Sequence, residues 1–153
     1  MYLLRRIRNQ LRTLLKEKIM TIDHVAIWTS QLDKMKDYYV KYFKGRANEK
    51  YLNKERHFES YFISFESGSR LELMQMPGIP QNLNDTVEKQ YQGIIHLSFG
   101  VENMNMVNEK LTELSQDGFK IIRGPRKTGD GYWEFETLDP DNNRIEVSAI
   151  FVE

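Results

Sequence analysis

Residues 22–45 read IDHVAIWTSQLDKMKDYYVKYFKG, and residues 94–118 read IIHLSFGVENMNMVNEKLTELSQDG. Aligned with His24 on His96, the two stretches match in plan. Each opens with a short apolar strand, crosses a polar turn and enters an amphipathic helix. The apolar positions are Leu32, Met35, Tyr39 and Tyr42 in one helix and Met104, Val107, Leu111 and Leu114 in the other. A glycine follows each helix, Gly45 or Gly118, where a C-terminal cap is expected.

Strands at 46–51, 59–66 and 70–76 follow the first helix, and strands at 119–123, 132–138 and 143–150 follow the second. The turns before the last strands, ESGS (66–69) and DPDNN (139–143), are built from turn-forming residues. Each half therefore reads β-α-β-β-β, with 77–92 as linker. A half of this size cannot cover its own sheet, so the two pack as one domain. The expected fold is α+β, with two βαβββ modules, 21–79 and 93–153, whose curled mixed sheets form a cup.

Period-two alternation assigns faces. Ile22, His24 and Ala26 share one face of the first strand, and Ile94, His96 and Ser98 share its counterpart. The last strands, RLELM (70–74) and RIEVS (144–148), present Arg70, Glu72 and Met74, and Arg144, Glu146 and Ser148. A single strand histidine or glutamate has an ordinary reading as half-buried or solvated. Two imidazoles and two carboxylates at equivalent places in two repeats form a pattern. Carboxylates sharing a cup repel unless a cation joins them. His24, Glu72, His96 and Glu146 are therefore the candidate metal ligands.

Composition bounds the rest. The 153 residues are 40% hydrophobic and 29% charged, with no cysteine and zero formal net charge, which removes disulfides and thiolate chemistry. Residues 1–19 carry six Arg or Lys against one Glu, with a helical stripe of Leu4, Ile7, Leu11, Leu14 and Leu15. Segment 1–20 reads as a basic amphipathic extension that docks on its own domain or on a second copy. A membrane-surface helix and a natural start at Met20 are the other readings. It lacks the apolar run of a signal peptide or membrane span, so a cytoplasmic protein is expected. The remainder is mildly acidic, which argues against nucleic acid as partner.

DHVAIW (23–28), LELM (71–74), IIHLSF (94–99) and DPDNNRIEV (139–147) resemble the vicinal oxygen chelate superfamily, which includes glyoxalases, bleomycin-resistance proteins and dioxygenases. The resemblance covers 21–150. It implies one divalent ion per site (Ni, Zn, Co, Mn or Fe) held at those four positions, and a homodimer in which sites lie within one chain or are shared between two. Resemblance in ligand set to glyoxalase I implies a lyase or isomerase that stabilises an enediolate-type intermediate of a small metabolite. Glu146 is then the first choice of base and Glu72 the second. Alternatives are a methylmalonyl-CoA epimerase-like isomerase, an extradiol dioxygenase or thiol transferase, and a metal-bearing drug-binding protein. Candidate substrate contacts are Arg70 and Arg144 in the cup, with Arg126, Tyr132 and Trp133 from a glycine-rich loop at 123–134. In the competing reading the arginines pair with Glu72 and Glu146, and Trp133 belongs to the core.

Overall fold

The computed structural model describes residues 21–153 apart from 84 and 86; the basic segment 1–20 lies outside the described residues. The first module runs β1 (His24–Trp28), α1 (Leu32–Phe43), β2 (Arg46–Ala47), β3 (Tyr51–Asn53), β4 (Phe58–Ser64) and β5 (Arg70–Gln75). The second runs β6 (His96–Gly100), α2 (Met104–Gln116), β7 (Ile121–Lys127), β8 (Tyr132–Leu138) and β9 (Arg144–Ile150). The fold is α+β, with two curled mixed sheets.

The sheets share one topology. β1 pairs in parallel with β5, which pairs antiparallel with β4, itself paired with both β2 and β3. In the second sheet β6 lies parallel to β9, followed by antiparallel β8 and β7. The strand expected at 46–51 is interrupted: 46–47 and 51–53 pair with β4 as separate pieces. β1 and β6 are edge strands among the described residues.

One apolar core joins the modules. Met35, Tyr39, Ile63 and Leu73 from the first meet Val107, Leu114, Phe135 and Ile145 from the second. The ring of Phe43 stacks at 4.2 Å on Phe99, and Tyr38 lies 4.9 Å from Phe119. Helix α1 thus packs on the second module. Polar contacts flank this seam: Tyr39 Oη donates to Asp139 Oδ2 (2.9 Å), and Lys110 Nζ to the Tyr42 carbonyl (2.6 Å).

The first helix stop departs from expectation. The left-handed residue after α1 is Lys44, with φ 56°, and Gly45 is needed for space. A Cβ there would lie 2.3 Å from Ile63 Cγ2, so any side chain would push the helix end off the sheet. Gly118 adopts the left-handed conformation expected of it.

The loop expected at 123–134 is a hairpin. Residues 121–127 and 132–138 pair across a four-residue turn, with register irregularities between Ile121, Arg123 and Arg126. Gly124 sits against β8, where a Cβ would come within 2.6 Å of the Glu134 carbonyl oxygen. Those irregularities hide the alternation that would have carried the strand expected at 119–123 on to Lys127.

Candidate metal centre

Registers place the four expected ligands. Ala26 is opposite Glu72, and Ser98 is opposite Glu146, so each histidine is the diagonal neighbour of its glutamate on the concave face. Diagonal neighbours are within reach of long side chains. His24 Nε2 lies 3.6 Å from Glu72 Oε2, and His96 Nε2 lies 3.7 Å from Glu146 Oε2. The two repeats build the same pair twice.

The pairs remain separate within one chain. Among the described residues, no group of three or more drawn from these four brings its ligand atoms within 4.8 Å of one another. Both first strands expose their concave face: His24, Ala26 and Trp28 are exposed, as are His96, Ser98 and Gly100. Each module offers an open half-cup.

Their surroundings differ. His24 Nδ1 lies 2.8 Å from Asp23 Oδ2, which fixes the ring so that Nε2 points at Glu72. Arg70 also donates to Asp23, and its guanidinium lies 4.5 Å above the Phe62 ring. Hydrogen bonds from His24 and Arg70 hold the Asp23 carboxyl below the usual range. Arg70 is therefore engaged in orienting Asp23.

In the second module Glu146 Oε1 accepts from Ser98 Oγ at 2.7 Å. Glu134 and Glu136 of β8 stand on the same face, with carboxylate oxygens that gather with those of Glu146 within 4.8 Å. Arg126 pairs with Glu134 (2.7 Å) and Arg144 with Glu136 (2.8 Å). Burial raises the Glu134 carboxyl, Arg126 opposes the shift, and the nearby Glu146 adds to it. Among the described residues, Glu146 is the member of this trio without an arginine bridge. The arginines compensate the other two charges and leave Glu146 to face His96. Glu134 and Glu136 were missed in the sequence, although YWEFETL alternates them with Trp133, Phe135 and Thr137.

The expected substrate contacts divide. Tyr132 and Arg126 lie on the concave face, and both are exposed. Arg144 is 3% exposed and bonded to Glu136 and to the Val87 carbonyl, so it is part of the wall. Trp133 is on the opposite face, opposite Ala149, and its Nε1 donates to Asn108 of α2 (2.9 Å). Alternation within β8 turns Trp133 toward the helix, the placement of the reading that gave it to the core. A cleft of about 730 Å³ runs between β1, the linker and the start of β6. It is bordered by Ala26, Trp28, His96 and Arg144.

The family model of the Glyoxalase/Bleomycin resistance protein/Dioxygenase superfamily matches residues 21–147. None of the curated proteins compared with the chain matches it. Among solved structures, a glyoxylase/bleomycin resistance protein/dioxygenase domain from Frankia sp. EAN1pec superposes with TM-score 0.71 at 19% identity, covering 87% of this chain and 99% of that one. The trypanothione-dependent glyoxalase I of Leishmania major gives 0.65 at 20% identity, covering 84% and 86%. TnmS3, an antibiotic-binding protein from Streptomyces sp. CB03234, gives 0.63 at 18% identity, covering 87% and 98%. At these identities the likeness is one of fold, whereas the family match spans most of the chain. The chain belongs to the Glyoxalase/Bleomycin resistance protein/Dioxygenase superfamily.

Proposed function

We propose that two chains share each site: His24 and Glu72 of one meet His96 and Glu146 of the other around one divalent ion, and the assembly is a metal-dependent lyase or isomerase. The observation that carries this reading is the pair of matched His–Glu arms, at 3.6 and 3.7 Å, each on an open half-cup. Ligands of one ion with bonds of about 2.1 Å sit about 3–3.5 Å apart, so each arm needs only a small side-chain rotation. Two nitrogens and two oxygens suit Ni, Zn, Co, Mn or Fe.

When bound, such an ion supplies Lewis acidity at two neighbouring substrate oxygens. Every other task falls to side chains. Asp23 holds the His24 tautomer, as carboxylates beside ligating histidines do. Ser98 holds one oxygen of Glu146, leaving the other toward the cup. Glu146 takes the proton from the substrate carbon beside one of those oxygens and returns it to the adjacent carbon, which completes an isomerisation without a co-reactant. Glu72 is second in line for this role, since β1 places Ala26 rather than a hydroxyl opposite it.

A second reading has its own support. A concave face with exposed aromatic rings suits a protein that holds a small molecule without turning it over, and TnmS3, which shares the fold, binds an antibiotic. Turnover separates the two. Protein loaded in turn with each of the five metals is assayed on hemithioacetals of methylglyoxal with several thiols, on methylmalonyl-CoA and on catechols. Metal-dependent product from a hemithioacetal or the thioester, abolished by chelator, is the expected result. Catechol cleavage would instead indicate a dioxygenase, and binding without product would favour the holding role.

A further inference from the structure

Both modules place an arginine two residues before the candidate ligand glutamate, as RLE (70–72) and RIE (144–146). Alternation puts each arginine on the face of its glutamate, about 7 Å along the strand and within reach of a guanidinium. A pair formed there would occupy the carboxylate that each half-cup directs at its histidine. Among the described residues neither module forms it, because each arginine is bonded to another acid.

The two diversions differ. In the first module Phe62 stands opposite Glu72, and Arg70 lies over its ring while donating outward to Asp23. In the second module Glu136 stands opposite Glu146, at the place that Phe62 fills in the first. Arg144 turns to it, Nη1 to Oε2 at 2.8 Å, with the two residues only 3% and 5% exposed. The module plan therefore does not require an acid at this place.

Burial decides what Arg144 does without Glu136. A guanidinium keeps its charge and, once buried, needs a carboxylate beside it. The Val87 carbonyl gives it only a neutral acceptor. Carboxylate oxygens of Glu134, Glu136 and Glu146 gather within 4.8 Å, so another acid is a short rotation away. Glu134 already holds Arg126 at 2.7 Å, whereas Glu146 faces His96 and carries no arginine among the described residues. Arg123, 4.0 Å from Glu136, is exposed and keeps water as its partner.

We propose that Glu136 is a positioning residue: it holds Arg144 away from Glu146 and so keeps that carboxylate free for His96 and a metal ion. Its effect on metal rests on the reading of Glu146 as a ligand, whereas the movement of Arg144 can be followed without metal. Asp23 diverts Arg70 in the same way, but it also bonds His24. Glu136 therefore gives the cleaner test.

Two measurements on the full-length protein decide it. In chelator, Glu146→Gln is introduced into the wild type and into Glu136→Gln, and chemical denaturation is followed. Glu146→Gln should leave wild-type stability unchanged or raised, and should clearly destabilise the Glu136→Gln protein, where Arg144 has moved to Glu146. In competition titrations with nickel, Glu136→Gln should bind at least about tenfold more weakly. The double variant Glu136→Gln/Arg144→Met should recover wild-type affinity, since no guanidinium is left to take Glu146. A merely structural role for Glu136 would leave the double variant no better than the single one. The proposal is overturned by equal effects of Glu146→Gln in both backgrounds, by unchanged nickel affinity in Glu136→Gln, or by a loss that the double variant does not recover. Wild-type protein that binds no nickel, with the denaturation result as expected, overturns the metal reading and leaves the movement of Arg144 standing. Should circular dichroism show that Glu136→Gln does not fold, Glu136→Asp, too short to hold Arg144, replaces it in both measurements with the same outcomes.

Discussion

Asp23 has no counterpart in the second repeat, where Ile95 precedes His96. One histidine of the proposed site is thus oriented by a carboxylate, and for the other no such partner stands at the same place. Partners of this kind typically contribute 10- to 100-fold in metal affinity. Asp23→Ala should weaken binding of zinc or nickel by roughly that factor in a competition titration, with the fold retained. An affinity equal to wild type would remove Asp23 from the site. For Glu146→Gln, which keeps an oxygen donor but loses basicity, turnover should fall by roughly 100-fold or more while much of the metal is retained. Full activity would move the base to Glu72. The four candidate ligands could be placed on one face from the sequence because strand alternation and repetition mark them without any knowledge of rotamers. Asp23 could not, since its role depends on a side-chain contact with its own neighbour. Trp133 fell where the loop read at 123–134 overlaps the strand read at 132–138, and only the strand assigns it a face.

Helix α1 and the β8–β9 turn form the element that sets one module against the other. Asp139 is buried in that turn and accepts from the backbone of Asp141 and Asn143, from the Asn143 side chain and from Tyr39. Burial raises its carboxyl above the usual range despite those donors, and burial also holds Tyr39 firmly protonated. Tyr39→Phe leaves a buried carboxylate short of a donor and should cost about 1–3 kcal/mol, visible as a lower Tm. A raised carboxyl binds its proton more tightly in the folded chain. Its effect on stability is therefore favourable below the unfolded value of 3.8 and declines as pH rises through the folded value. Asp139→Asn should lose that decline, measured as the wild-type minus variant difference in denaturation free energy from pH 3.8 upward. An unchanged slope would show that Asp139 does not titrate there. DPDNN announced a turn, but its partnership with Tyr39, 100 residues away in sequence, was not legible. Helical periodicity gave the buried face of α1, yet the residue ending the helix was Lys44, because Gly45 answers to Ile63 rather than to φ.

At the scale of the molecule, repetition made the βαβββ plan readable, and the structure reproduces it with one strand divided. What repetition could not supply was the pairing between half-cups, which depends on where the open edges β1 and β6 find partners. Exposed sheet edges invite such pairing, and an isologous dimer closes both cups with one contact. Ligand binding to the folded state alone should also raise Tm with metal concentration. The most direct test mixes His24→Ala chains with Glu146→Ala chains under conditions of verified subunit exchange. If two chains share each site, the mixed dimer carries one intact site and one doubly broken one. Metal per mixed dimer should then recover to about one ion, where either variant alone binds poorly. No recovery after complete exchange would place each site within a single chain and contradict the shared centre.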